Sequence, residues 1–327
     1  MPIVEPAGYR APFGFGNGHV QTVYPAVFRR VGVVTGRRER LDLADGDFLD
    51  LDWGDGGVEG AGRELVVILH GLEGDSRQAY VQGMASFMRD RGWDVLAWNF
   101  RGCSGEMNRL ARSYHSGATE DMESVLGHVW AGARYERVAL IGFSLGGNVV
   151  LKYLGEQGED LDERICGAVA FSVPCDLASS AACLAARGQR VYMRRFLKRL
   201  TGKMRAKMAL HPDEVKDEGL DGMRNFYDFD DAYTAPLHGF AGATDYWERC
   251  SSRRVLGGIR VPTLLVNAAD DPFLGAACYP QEEAEASQWF YLEVPRQGGH
   301  VGFVPRDRGG AYWSEMRAGG FLDGVRG

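Results

Sequence analysis

The chain has 327 residues and a formal net charge of −7, which argues against a general nucleic-acid binder, because a phosphate backbone selects clustered positive charge. Hydrophobic content of 45% with 25% charged residues describes an ordinary soluble fold with ample core, and no uninterrupted apolar stretch approaches the length needed to span a bilayer. The 6 cysteines (Cys103, Cys166, Cys175, Cys183, Cys250 and Cys278) contain no CxxC, and the N-terminus lacks a basic-then-apolar leader, so the expectation is a reduced, cytoplasmic protein without a disulfide framework or structural zinc.

Residues 1–30 hold Phe13, Phe15, Tyr24 and Phe28, too many aromatics for a disordered tail, and are expected to form an ordered arm on the body. His19, inside Asn17-Gly-His-Val-Gln-Thr22, reads as a structural histidine of a glycine-rich loop. Residues 31–53 read as an antiparallel pair. Val31–Val34 with Arg37–Leu43 form one extended run, and Phe48–Trp53 alternates apolar and acidic residues as a half-buried strand does. A glycine-rich loop at 54–63 precedes Leu65–Leu69, a continuous apolar run of the kind that lies in a parallel sheet covered on both faces. That strand ends in His70-Gly-Leu-Glu-Gly74, where His70 is expected to orient the loop and Glu73 to be solvated or structural. A helix over about Ser76–Gly92 carries Tyr80, Met84, Phe87 and Met88 as an apolar stripe, and Asp94–Phe100 is the next strand. Arg101, Arg109, Arg112 and His115 read as loop braces in preference to an anion site. Cys103 and Ser104 lie in no turn that would expose a nucleophile, and the Thr119–Trp130 helix has Glu120 and Asp121 where its dipole favours them.

The apolar run from Val138 enters Gly142-Phe-Ser-Leu-Gly146, after which Val149, Val150, Tyr153 and Leu154 start a helical pattern. Strand, tight turn and helix with Ser144 at the apex make a nucleophile elbow, in which glycines two residues to either side relieve the crowding of a strained serine. Cys166–Ser172 is another buried strand. From about 176 to 250 no strand pattern occurs. There Tyr192, Phe196, Leu200, Met204 and Met208 recur every fourth residue, and the other faces carry Arg190, Arg194, Arg195, Lys198, Arg199, Lys203, Arg205 and Lys207. Such a helix could touch an anionic lipid surface, but the favoured reading docks its stripe on the body and leaves its charges in water. Strand Arg260–Asn267 then delivers Asp270 and Asp271, strand Trp289–Val294 delivers Gly299-His300, and a helix around Gly310–Gly319 closes the chain.

The alternation of strands and helices predicts one α/β domain with a mostly parallel, doubly wound sheet, an arm at about 1–30 and a helical cap insertion at about 176–250. The order Ser144, acid, His300, each after a strand, is that of the α/β-hydrolases. In that arrangement Ser144 is the nucleophile, His300 the general base, and Asp271 or Asp270 orients the imidazole; Asp271-Pro-Phe-Leu fits the usual acid turn better. Backbone N–H groups of Leu72 and Leu145 would bind the oxyanion, with no metal or organic cofactor needed.

Taken together, Asn17-Gly-His-Val-Gln-Thr22, His70-Gly-Leu-Glu-Gly74, Asn99-Phe-Arg-Gly-Cys-Ser-Gly-Glu106, Tyr114-His-Ser-Gly117, the elbow with Asn148, Asp270-Asp-Pro-Phe273 and Gly299-His-Val-Gly-Phe303 resemble the YheT-like branch of the α/β-hydrolases, which includes abhydrolase-domain esterases and phospholipases. The resemblance runs from about residue 10 to 305 and implies a serine hydrolase of carboxylic esters, short- to medium-chain or lipid, with Ser144, Asp271 and His300 as its triad. Acyl transfer by the same residues and a non-catalytic binding protein on this fold are the competing expectations.

Overall fold

The computed structural model describes residues 3–4, 8–55, 64–307 and 310–325; of the expected loop at 54–63, residues 56–63 lie outside them. Eight strands form a single sheet in the order β1-β2-β4-β3-β5-β6-β7-β8, with β1 Arg37–Asp42, β2 Phe48–Gly54, β3 Glu64–Leu69, β4 Asp94–Asn99, β5 Arg137–Phe143, β6 Ile165–Phe171, β7 Thr263–Val266 and β8 Phe290–Glu293. The β1–β2 and β2–β4 pairs are antiparallel and the remaining pairs parallel, as a doubly wound sheet requires.

The apolar strands are covered on both faces because alternate side chains point to opposite sides. Leu65, Val67 and Leu69 of β3 join one core with α3 (Thr119–Ala131) and α4 (Leu145–Gln157). Val66 and Ile68 join the other with α2 (Ala79–Arg89) and α11 (Trp313–Gly324). Each such aliphatic contributes about 1.5–3 kcal/mol on full burial, so a run of five demands cover on both sides.

Two expectations at the start of the sheet need correction. Val31–Val34 is not part of β1, and β2 is buried along its whole length rather than on one face. Its acidic face is closed by cross-strand partners in direct register: Arg40 grips Asp50 at 2.8 and 3.0 Å, and Arg38 grips Asp52 at 2.7 and 2.8 Å. Ser76 Oγ and Asn99 Nδ2 also donate to Asp52. Ser76, whose N–H donates to Asn99 Oδ1, stands outside α2, which starts at Ala79, later than expected. The arginines and His115 in the loops after β4 are braces, as read. Arg101 reaches Asp45, Asp47 and Asp121, and Arg109 and Arg112 reach Asp42 and Asp45. His115 is buried, its Nδ1 accepting from the Gly117 N–H.

The arm contains a helix that the sequence reading did not anticipate, α1 Gly18–Phe28, capped by the Asn17 side chain, which accepts from the His19 and Val20 N–H groups. Between β6 and β7 the chain is helical: α5 Leu177–Ala185, α6 Arg190–Leu210, α7 Phe226–Phe229, a π-helical turn at Asp230–Thr234, α8 Ala235–Leu237 and α9 Ala243–Cys250. A short α10, Gln281–Glu285, precedes β8. On α6 the buried line is Met193, Leu197, Leu200, Met204 and Lys207, rotated from the expected one, with Tyr192, Phe196 and Met208 half-buried at its edge. The expectation that α6 leaves all its charges in water is corrected for Lys203 and Lys207. Lys207 donates to the carbonyls of Asn108 and Leu110, and burial lowers its ammonium pKa to about 8. Among the described residues no helix is long and apolar enough to cross a membrane.

Candidate active site

β3 and β5 are neighbours in the sheet, with Leu69 paired to Gly142, yet their connections leave in opposite directions, so a crevice opens beyond their carboxyl ends. Ser144 stands there at φ 53° and ψ −119°, a strained conformation for a residue with a side chain. Its N–H is tied to the Phe171 carbonyl at 2.8 Å, and α4 begins at the next residue. The glycine that follows is required by close approach: a Cβ on Gly146 would lie 2.6 Å from the His70 carbonyl oxygen and 2.7 Å from that of Leu69.

The imidazole of His300 bridges serine and acid. Its Nε2 lies 3.0 Å from Ser144 Oγ, and its Nδ1 lies 2.9 Å from Asp271 Oδ2 and 3.1 Å from Oδ1. Asp271 also accepts the Phe273 N–H at 2.9 Å, and its side chain is wholly buried. Of the two candidate acids, then, Asp271 faces the ring. Asp270 instead accepts the Gly299 N–H at 2.9 Å, and burial pushes its carboxyl upward. The ring lies tilted against Phe273, with centroids 4.2 Å apart.

Residues that the sequence reading passed over hold this bridge in place. The His300 N–H donates to Thr22 Oγ1 and the Val301 N–H to Ser172 Oγ, each at 2.9 Å. The arm can come so near only because position 18 is glycine; a Cβ there would overlap the Asp270 carbonyl. The glycine-rich motif at Asn17–Thr22 was the available signal, but its partner His300 lies 278 residues beyond Thr22. His19 stays peripheral, 3.1 Å from Tyr192 Oη. Asn148 ties the elbow helix to the end of the helical segment: its Nδ2 donates to the Ser116 and Cys250 carbonyls and its Oδ1 accepts from the Ser252 N–H.

The loop after β3 brings Leu72 beside Ser144, and Leu145 opens α4 on its other side. His70 orients this loop as expected. The Phe100 N–H donates to its Nε2 and its Nδ1–H donates to the Gly71 carbonyl, so the ring is neutral, and burial lowers its pKa to about 4. Glu73 is structural rather than solvated, at φ 54°. Its N–H donates to Tyr114 Oη at 2.7 Å, Tyr114 donates back to Oε1 at 2.8 Å, and Lys203 of α6 caps the same oxygen at 2.7 Å. Lys203 Nζ also lies 3.2 Å from the Sγ of the half-buried Cys103, whose thiol desolvation pushes up to about 11. Arg199 adds a bond to the Glu73 carbonyl. The loop beside Ser144 is thus anchored to the helical segment by a buried ion pair.

Two voids meet at Ser144. A cavity runs beneath α5, α6 and α7 and is walled mainly by apolar side chains such as Leu177, Leu184, Leu200, Met204 and Phe229. Its wall also carries Asp230, which Thr234 and Trp247 hold by hydrogen bonds and whose carboxyl burial raises to about 6, and His238, which burial and then His115 lower to about 4. A groove leaves the serine toward α1 and α2 and shares Leu72, Ser144, Phe196, Phe273 and His300 with the cavity. Among the described residues no cluster of three or more His, Cys, Asp or Glu is arranged to hold a metal ion.

Residues 64–307 match a family model described as the alpha/beta hydrolase fold. The YheT protein of Escherichia coli (strain K12), which carries an esterase designation, is 38% identical over 293 residues, spanning 89% of this chain and 85% of that one. The mouse phospholipase ABHD3 is 29% identical, spanning 82% of this chain and 66% of its own length. Among solved structures, the Pyrococcus furiosus esterase Pf2001 superposes with a TM-score of 0.58 at 19% identity, covering 89% of this chain and 93% of that one, a likeness of fold.

Proposed function

The chain belongs to the alpha/beta hydrolase fold family, in the branch that contains YheT, and from that premise we propose that it is a serine hydrolase of carboxylic esters. One observation carries the reading: Ser144, His300 and Asp271 form an unbroken hydrogen-bonded chain at the mouth of an apolar cavity. An esterase designation in one relative and a phospholipase name in another support the ester as the bond attacked.

In this mechanism the Asp271 carboxylate accepts from Nδ1–H, so Nε2 is left as a base toward Ser144. As Oγ bonds to the ester carbon, its proton passes to Nε2 and the carbonyl electron pair moves onto oxygen. The N–H groups of Leu72 and Leu145, the latter at the positive end of α4, hold that oxyanion. The intermediate collapses to an acyl-serine, the C–O bond to the alcohol breaks, and the alcohol leaves with the proton from Nε2. Water then adds to the acyl carbon with His300 again as base, releasing acid and free serine. The acyl chain lies in the cavity, which suits short- to medium-chain groups, and the helices between β6 and β7 serve as its cap.

Turnover of a p-nitrophenyl ester series and labelling by a fluorophosphonate test this reading. Ser144→Ala should abolish labelling and lower kcat/KM by about four orders of magnitude or more. Normal turnover by that variant would sink it.

A further inference from the structure

The groove between Ser144 and helices α1 and α2 differs from the cavity in charge. Its lining includes Arg29, Arg30, Arg77, Arg195 and Arg199, and among the described residues lining it there is no aspartate or glutamate. That is unexpected in a chain of net charge −7. Several arginines elsewhere are matched to carboxylates: Arg38 and Arg40 on β1, Arg101 behind β4, Arg253 and Arg317 near the closing strands.

The five groove arginines are not equivalent. Arg29 is accounted for by Glu315 and the face of Tyr312, Arg30 by the carbonyls of Val27 and Arg29, and Arg199 in part by the carbonyl of Glu73. The guanidinium groups of Arg77 and Arg195 have no ion pair or hydrogen bond among the described residues. They come from separate parts of the chain, Arg77 from the loop before α2 and Arg195 from α6, so no amphipathic pattern of a single helix explains their meeting. Two guanidinium groups that share a groove and have no ion-pair partner repel one another and focus a positive field, which an oxyanion relieves. Guanidinium matches phosphate and carboxylate oxygens in geometry as well as in charge.

An ester at Ser144 has two arms that diverge from the reacting carbon. The apolar cavity takes the hydrocarbon arm, which leaves the groove for the alcohol arm, beside the His300 that protonates it on departure. Building on the reading of Ser144 as nucleophile, we infer that the alcohol half of the substrate carries an oxyanionic group, phosphate or carboxylate, held by Arg77 and Arg195 with Arg199 and Arg30 at the groove wall.

The test compares three esters of one acyl chain at low ionic strength: the acyl glycerol, the acyl glycerol phosphate and the acyl glycolate. A kcat/KM at least tenfold higher for either anionic ester than for the neutral one, falling as salt is added, is expected; the larger of the two preferences names the anion. Arg77→Gln with Arg195→Gln should bring the anionic-to-neutral ratio close to one through KM, and Arg195→Lys should restore part of it. A thermal melt of each variant confirms that it is folded. Equal kcat/KM for neutral and anionic esters, or a ratio unmoved by the double substitution, overturns the inference. So does inhibition by inorganic phosphate without any ester preference, which would assign the groove to a free anion. Turnover of any of the three esters by the unaltered protein keeps the two readings apart: if it occurs without an anionic preference only the groove reading falls, and if none of the three is turned over the serine reading falls first.

Discussion

The sheet and the helical segment over it constrain the same serine by different means. The sheet uses backbone: the left-handed φ of Ser144, the close approach at Gly146, main-chain donors at His300 and Val301, and a neutral His70 spanning two loops. The helical segment uses side chains: the apolar line of α6, the Lys203–Glu73 pair and a cavity wall that includes Asp230. A backbone constraint admits few residue types, whereas a packed wall can be built from many. The region that would make the chemistry is therefore closely specified, and the region that would select the substrate is open to variation.

The largest expected effect comes from breaking the backbone side. Gly146→Ala sets a methyl group against two carbonyl oxygens that cannot move without shifting β3. Overpacking of this kind costs about 1–3 kcal/mol, and a serine displaced by an ångström would lose roughly a hundredfold in kcat. A melt and fluorophosphonate labelling would read both losses. Wild-type labelling would show that the elbow tolerates a side chain there.

Next comes the seam between the two regions. Lys203→Met leaves the Glu73 carboxylate buried without its cation, and breaking such a pair costs several kcal/mol. We expect about 3 kcal/mol, toward the low end of that range, because Tyr114 still donates to Glu73. Denaturant unfolding of Lys203→Met and of Lys203→Met with Glu73→Gln provides the check, since the double variant should regain much of the loss. No regain would mean that the lysine acts by packing alone.

The smallest effect lies in the cavity wall and depends on pH. Asp230 is raised from an ordinary 3.8 to about 6, mainly by burial, so the folded state favours its protonated form. Its contribution to stability is complete below about 3.8 and is lost as pH rises through about 6. Asp230→Asn should therefore raise Tm at pH 8 by about 2–4 °C relative to the unaltered protein and leave it little changed at pH 4. A gain of equal size at both pH values would remove the carboxyl from the explanation.

By itself the sequence determined the α/β architecture, the strand that carries each site residue, and the chain order of Ser144, the acid pair and His300. These were legible because each rests on a local requirement, an apolar run ended by a tight turn whose glycines and polar residues have few substitutes. Local pattern misjudged β2, since its aspartates are covered by arginines on the next strand, and it misplaced the buried line of α6, since lysines at that face find carbonyl and carboxylate partners in distant loops. Only the tertiary structure decided which aspartate meets the imidazole, that the arm braces His300 through Thr22, that Glu73 pairs with Lys203 of α6, and that Arg77 and Arg195 share one groove. Each of those is a juxtaposition of segments apart in the chain. No periodicity or spacing encodes such a juxtaposition, because it exists only once the sheet has brought its strand ends to one edge.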